Sequence, residues 1–87
     1  MNELIERVIA HNTSEKNTVC CIEEMSELTK VLTKKLRNSE KFNRGDLAEE
    51  LAHVLLMCNV IAAEHGISEY VIRDYQEDAV KRMEEGV

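Results

Sequence analysis

Hydrophobic positions in this chain recur with the period of an α-helix over long stretches, and short polar stretches interrupt the pattern three times. The interruptions fall at about residues 12–14, 38–45 and 65–66. The pattern therefore predicts four helices within one domain that spans residues 1–87. The absence of proline and the scarcity of aromatic residues favour the same all-α fold class, because strands would need more aromatic and turn-forming residues.

Capping residues predict where the helices begin and end. Asn2 and Ser68 are the predicted N-caps of the first and fourth helices, and Gly66 is the residue that ends the third. Asp46 and Glu49 have the spacing of a capping box, which places the start of the third helix at Asp46. The predicted helices cover about residues 2–11, 14–37, 46–65 and 68–85.

Apolar stripes on the two central helices predict the core of the domain. The apolar stripe on helix two consists of Cys21, Met25, Leu28, Leu32 and Leu36. The stripe on helix three consists of Leu47, Leu51, Val54, Cys58 and Ile61. The middle of helix three is apolar on nearly every side, so it needs more cover than four short helices provide. We therefore expect a homodimer or homotetramer that packs through helix three.

A second line on each central helix carries polar groups beside the apolar stripe. Glu24 and Glu27 lie one turn apart on helix two, and Glu50 and His53 lie one turn apart on helix three. If the two helices form an antiparallel hairpin, both pairs can converge on one point. Carboxylates clustered in a partly apolar setting repel one another unless a cation compensates their charge, so these four residues are predicted metal ligands. Oxygen ligands suit Mg²⁺ or Mn²⁺, and the imidazole moves the preference towards Mn²⁺.

The net charge of −6 disfavours non-specific binding to a nucleic-acid polymer or to an anionic membrane surface. The charge is uneven, however, because residues 30–44 contain six basic residues and one acidic residue and so carry a formal charge of +5. The rest of the chain is correspondingly more acidic.

Cysteine use and hydropathy favour a cytoplasmic protein. Cys20, Cys21 and Cys58 are odd in number and two of them are adjacent, so they are interpreted as reduced thiols rather than as a disulfide framework. The first ten residues alternate charged and aliphatic side chains and do not resemble a signal peptide. The longest apolar run is too short to cross a bilayer.

The order of the acidic motifs resembles a known family. Glu23, Glu24 and Glu27 form EExxE on one helix, a basic linker follows, and Glu50 and His53 lie in an EELAH segment on the next helix. This arrangement resembles the MazG-like all-α nucleoside triphosphate pyrophosphohydrolases, whose signature is EExxE, a spacer and then ExxD. The resemblance covers about residues 15–63 and also fits the length of short single-domain members.

The resemblance implies a four-helix subunit that forms dimers or tetramers and holds Mg²⁺ between its central helices. It implies cleavage of a nucleoside triphosphate between the α and β phosphates, which releases the monophosphate and pyrophosphate. Glu24, Glu27 and Glu50 match the metal ligands of the family, and Glu23 matches the leading acid of its first half-motif. His53 stands where the family has Asp.

The remaining candidate residues follow from that reaction. Glu23 and Glu27 are the predicted catalytic carboxylates, because a nearby glutamate can take the proton of an attacking water. Phe42, in the basic loop, is the predicted residue that stacks on the nucleobase. The predicted phosphate-binding residues are Lys30, Lys34, Lys41 and Arg44, whereas Lys35 and Arg37 are interpreted as solvated side chains.

Two other functions fit the same residues. The substitution at position 53 also fits a catalytically impaired homologue that acts as a nucleotide-binding or oligomeric interaction module. The Glu50-x-x-His53 spacing also occurs in di-iron carboxylate bundles, and a dimer could supply two such motifs together with further glutamate ligands. Simpler roles exist too, because glutamates at this spacing commonly form a solvated helix face and a histidine in an apolar helix is commonly a hydrogen-bonded core residue.

Overall fold

The computed structural model describes residues 2–86 of the chain, and these residues form four α-helices and no strand. The helices are α1 (Glu3–His11), α2 (Ser14–Leu36), α3 (Arg44–Glu64) and α4 (Glu69–Glu84). The prediction of an all-α fold with four helices is confirmed.

Local capping interactions fix most of the helix ends where the sequence predicted them. The Asn2 side chain accepts a hydrogen bond from the Ile5 amide at 3.0 Å, and the Ser68 hydroxyl accepts one from the Val71 amide at 3.2 Å. Gly66 follows the last turn of α3 with a φ of +65°, the left-handed conformation that glycine adopts without steric cost. The predicted starts of α1 and α4 and the predicted end of α3 are therefore confirmed.

The predicted start of α3 is wrong by two residues. The helix begins at Arg44 with Asn43 as its N-cap. The Asn43 side-chain oxygen accepts a hydrogen bond from the Asp46 amide at 2.7 Å, and the Asn43 side-chain amide donates to the Asp46 carboxylate at 2.9 Å. Because the first bond satisfies a free backbone amide of the first turn and the second joins the two side chains, Asn43 is the cap and Asp46 is a residue of that turn.

The two long helices, α2 and α3, pack against each other as an antiparallel hairpin. Two contacts establish the direction: Glu24 bonds His53, whereas Cys21, earlier in α2, packs in the core cluster with Met57 and Val60, later in α3. Helix α1 packs on the same α3. The predicted antiparallel arrangement of the two central helices thus matches the structure, and it places the middle of α2 beside the middle of α3.

The buried core is small and lies where the three packed helices meet. Ile5 from α1, Cys21 from α2, and Met57 and Val60 from α3 form it, and Val60 has no exposed surface. Asn17 is the other fully buried side chain of this region, and its carbonyl oxygen accepts a hydrogen bond from the Asn12 amide.

The predicted core stripes are only partly right. On α2, Cys21 is buried, but Met25, Leu32 and Leu36 are exposed. On α3, Leu51 and Cys58 are exposed, and the side chains that face inwards belong to the line that also carries Glu50, His53 and Met57. The prediction failed because α3 is apolar around most of its circumference, so its periodicity does not select one face. The packing partners α1 and α2 select it instead.

The chain is extended for its size. Its radius of gyration is 15.3 Å, whereas a compact domain of this length has a radius of gyration of about 12 Å. Helix α4 contributes no buried residue and projects away from the hairpin, with Tyr70, Tyr75 and Met83 more than seven-tenths exposed. No helix between residues 2 and 86 is both long and apolar enough to cross a membrane.

Candidate metal centre

Three side chains from the two central helices meet at the middle of the hairpin. Glu24 of α2 and Glu50 and His53 of α3 each direct one ligand atom to a common point, and these atoms lie within 4.8 Å of one another. Nδ1 of His53 is 2.9 Å from a carboxylate oxygen of Glu24 and 3.7 Å from one of Glu50. The two half-motifs of the sequence therefore converge in space.

The helices position this cluster without any loop residue. Glu50 and His53 are separated by one turn of α3, so their side chains lie on the same face, and the antiparallel register sets Glu24 opposite to them. All three side chains are partly buried, with 30% of Glu24, 18% of Glu50 and 44% of His53 exposed. A rigid helix pair can hold such groups more precisely than a loop can.

The Glu50 carboxyl group has a raised pKa. Burial raises the pKa of its carboxyl group, and the negative charges of Glu24, Glu27 and Glu49 raise it further, while His53 lowers it. One carboxylate oxygen of Glu50 is also buried without a hydrogen-bond donor. A buried acceptor that lacks a donor is costly, so this oxygen is suited to a cation that would satisfy it.

The two remaining acids of the first half-motif lie outside the cluster. Half of the Glu27 side chain is exposed, and its carboxylate pairs with Lys30 at 3.2 Å. Its charge nevertheless acts on the pKa of Glu50, so it lies near the edge of the site. Glu23 is exposed and lines a separate groove with Lys16 and Cys20. The structure therefore brings together three of the four predicted ligands.

Basic side chains line a groove next to Glu27. The groove has a volume of about 300 Å³, and Lys30, Lys34 and Arg37 contribute to its wall. Two of these cations are predicted phosphate-binding residues. Arg37, which was interpreted as a solvated side chain, also lies in the groove, and its position one turn after Lys34 is the signal that could have identified it.

The other predicted binding residues lie in or next to the loop between α2 and α3. Lys41 and Arg44 are exposed, and neither forms an ion pair with another of the described residues 2–86. Phe42 is half-buried, and its backbone amide donates to the Ser39 carbonyl oxygen at 3.2 Å. The role of Phe42 in stacking on a base stays a prediction.

Comparisons of the chain with protein-family models, with curated proteins and with solved structures give no match.

Proposed function

We propose that this protein is a metal-dependent nucleoside triphosphate pyrophosphohydrolase that cleaves its substrate between the α and β phosphates. The observation that carries the proposal is the convergence of Glu24, Glu50 and His53, because these residues come from the two half-motifs that resemble the MazG-like family. Two carboxylates and an imidazole at one point form a donor set for a divalent cation.

The residues of the cluster fit Mg²⁺ or Mn²⁺ by two criteria. The ligand atoms come close enough for one ion to contact all three, and the buried oxygen of Glu50 accepts no hydrogen bond from residues 2–86, with Nδ1 of His53 at 3.7 Å from it. Glu24, Glu50 and His53 would hold the ion, and Glu27 at the edge of the site is the fourth predicted ligand. Carboxylate oxygens suit both ions, and the imidazole nitrogen favours Mn²⁺.

The protein's own side chains supply the other requirements of the reaction. A bound divalent cation would offset the charge of phosphate oxygens and acidify a nearby water. Glu27 is exposed beside the cluster, so its carboxylate can accept a proton from a water that attacks the substrate. Glu23, which points into a different groove, is the weaker candidate for that role. Lys30, Lys34 and Arg37 provide positive charge for the phosphate chain on the same side of α2 as Glu27.

We also propose that the active species is a homodimer. The accessible surface of the chain is 7109 Å², whereas a compact monomer of this mass exposes about 5,200 Å². The excess of about 1,900 Å² exceeds the area of about 800 Å² that each partner buries in a standard interface. A chain with this much uncovered surface and so small a core needs a partner to reach ordinary stability.

Most of the exposed large apolar residues of the hairpin have the spacing of a helix–helix seam, and Val19 of α2 is exposed outside it. The residues of the seam are Ile22, Met25, Leu32 and Leu36 on α2 and Leu51 and Leu55 on α3. The positions on α2 are separated by three, seven and four residues, which matches a heptad repeat. Two hairpins that pack through these stripes would form a four-helix bundle. Such a dimer would cover the side of α3 that α1 and α2 leave exposed.

The activity is tested by incubating the purified chain with each nucleoside triphosphate and with Mg²⁺ or Mn²⁺, and measuring released pyrophosphate. We expect release by the wild-type protein and loss of more than about 100-fold for Glu50→Gln, since one ligand is removed. Glu49→Gln is the matched control, because this neighbouring glutamate is exposed and outside the cluster. Absence of pyrophosphate with every nucleotide and both ions would refute the proposal.

A second candidate function follows from the contact between His53 and Glu24. The His53 ring lies 2.9 Å from one carboxylate and 3.7 Å from another, so a hydrogen bond or a protonated ring at this position can stabilise the two acids in place of a metal ion. The protein would then be an impaired homologue that binds nucleotides or partners without hydrolysis. The variant His53→Asp separates the two functions, because a gain of pyrophosphate release supports the impaired homologue and a loss supports a working role for the imidazole.

The di-iron alternative has less support. Among residues 2–86 of one chain, the cluster combines three ligand groups, so a di-iron site would need a dimer that brings two of these clusters to one point. Purification of the protein with stoichiometric iron and a near-ultraviolet oxo-bridge absorption would nevertheless favour it over the hydrolase.

A further inference from the structure

Helix α4 carries an apolar face that its own chain does not cover. At about 100° per residue, five apolar side chains fall within about one third of the helix circumference. They are Val71, Ile72, Tyr75, Ala79 and Met83. None of them is buried, and Tyr75 and Met83 are more than seven-tenths exposed. A helix of 16 residues is only marginally stable in water without packing on its apolar face, so α4 needs a partner.

A groove of matching character lies between α1 and α3. It has a volume of about 390 Å³, and Leu4 and Val8 of α1 and Leu56 of α3 form its apolar part. Arg7 and His11 of α1 lie beside them. Leu4 is more than half exposed, so the groove is open to solvent. An amphipathic helix that lays its apolar face into such a groove is a common mode of recognition.

The charges beside the two surfaces are complementary when α4 runs antiparallel to α1. One line of residues on each helix has a spacing of four residues, and it carries Glu3, Arg7 and His11 on α1 and Asp74, Asp78 and Arg82 on α4. In the antiparallel alignment the opposed pairs are Glu3 with Arg82, Arg7 with Asp78, and His11 with Asp74. All six side chains are exposed, and none forms an ion pair within the described residues 2–86.

The apolar lines fit in the same alignment. Leu4 falls between Ala79 and Met83, and Val8 falls between Tyr75 and Ala79, so the side chains of one helix enter the spaces of the other. On both helices the charged line lies about 80° from the apolar line in the same sense of rotation. Equivalent flanks face each other in an antiparallel helix pair, so the charged lines meet while the apolar lines pack.

The α4 helix of the same chain does not have the direction that this contact needs. Its first turn and the turn before it line a corner with Asn2 and Ile5, at the N-terminal end of α1. The antiparallel alignment requires the start of α4 to lie at the other end of α1, beside His11. The contact therefore needs a second copy of the chain.

We propose that α4 of one copy docks antiparallel into the groove between α1 and α3 of a second copy, and that the two copies exchange α4 reciprocally. Reciprocal exchange closes the contact around a two-fold axis. The accessible surface of 7109 Å² exceeds that of a compact monomer by about 1,900 Å². An interface through the hairpin seam uses about 800 Å² of this excess on each partner, so enough surface remains for a second contact. The exchange does not depend on the proposed hydrolase activity.

Charge reversal tests the pairing of Arg7 with Asp78, with sedimentation velocity of the full-length chain over a concentration series as the measurement. Arg7→Asp and Asp78→Arg each place two pairs of like charges in the exchanged dimer, so each is expected to raise its dissociation constant at least about tenfold. The double variant Arg7→Asp/Asp78→Arg is expected to restore association. An equimolar mixture of the two single variants is also expected to restore it, because each mixed pair then contains opposite charges only.

Recovery in the mixture separates a contact between copies from an effect within one chain. Glu84→Arg is the matched control, because it reverses an acidic charge on the opposite side of α4 and is expected to associate like the wild type. The proposal would be overturned if the wild-type chain stays monomeric throughout the series or if the two reversals leave association unchanged. It would also be overturned if neither the double variant nor the mixture recovers the association that the single variants lose.

Discussion

The proposed dimer through the hairpin seam predicts that truncation of Leu55 weakens dimerisation. This side chain is 62% exposed in the single chain although it lies in the middle of the most apolar helix. Complete burial of a leucine contributes about 2 kcal/mol relative to full exposure. In a symmetric dimer, the exposed part of Leu55 would be buried in both copies. Truncation to alanine would remove most of this burial twice and weaken the free energy of dimerisation by about 2 kcal/mol in total.

A loss of this size corresponds to a dissociation constant about 30-fold higher. The measurement is sedimentation equilibrium over a concentration series, with circular dichroism to show that the helix content of Leu55→Ala is unchanged. Val19→Ala is the matched control, because Val19 is 48% exposed but lies outside the proposed seam and outside the groove between α1 and α3. The proposed dimer would be refuted if the wild-type protein stays monomeric at high micromolar concentration. It would also be refuted if Leu55→Ala and Val19→Ala raise the dissociation constant equally.

The remaining predictions concern the site and the core. Millimolar Mn²⁺ is expected to raise the melting temperature of the wild type and of Glu49→Gln but not of Glu50→Gln, as measured by differential scanning fluorimetry. Without metal, the pKa of the Glu50 carboxyl group is higher in the folded chain than in the unfolded one, so as the pH rises the unfolded chain loses the carboxyl proton at a lower pH. Stability is therefore expected to fall as the pH rises from the ordinary glutamate pKa through the raised one, and urea titrations of Glu50→Gln would lack this component. Val60→Ala is expected to cost about 2 kcal/mol in urea unfolding and about 10 °C in melting temperature, because the side chain is fully buried. Lys34→Ala is expected to raise KM for the nucleotide several-fold with a smaller effect on kcat, if the groove binds phosphate; an unchanged KM in steady-state assays would contradict that role.

The candidate site was predictable from the sequence to the extent that it depends on helical spacing. Glu50 and His53 share a face because they are one turn apart, and Glu24 has the matching position on the preceding helix. The place of Glu27 was not predictable in the same way. It lies one turn from Glu24, but its carboxylate bonds Lys30 on its own helix instead of reaching the cluster.

Local interactions within a few residues determined the secondary structure, and the sequence contains all of them. The caps at Asn2 and Ser68 and the left-handed Gly66 each act on the backbone of their own segment, so they could be recognised without knowing the fold. The start of α3 was misassigned because Asn43 and Asp46 are both good capping residues, and only the geometry of the loop shows which one bonds the first free amides.

Tertiary structure alone decided which faces are covered and which distant residues meet. A helix that is apolar on nearly every side can bury any of its faces, so the burial of Met57 and Val60 and the exposure of Leu55 depend on where α1 and α2 pack. The contact between Glu24 and His53 likewise depends on the register of the hairpin. Burial and register depend on how the helices pack against one another, whereas helix formation and capping depend on residues that are adjacent in the sequence. For this reason the sequence determined the helices, and the fold determined their contacts.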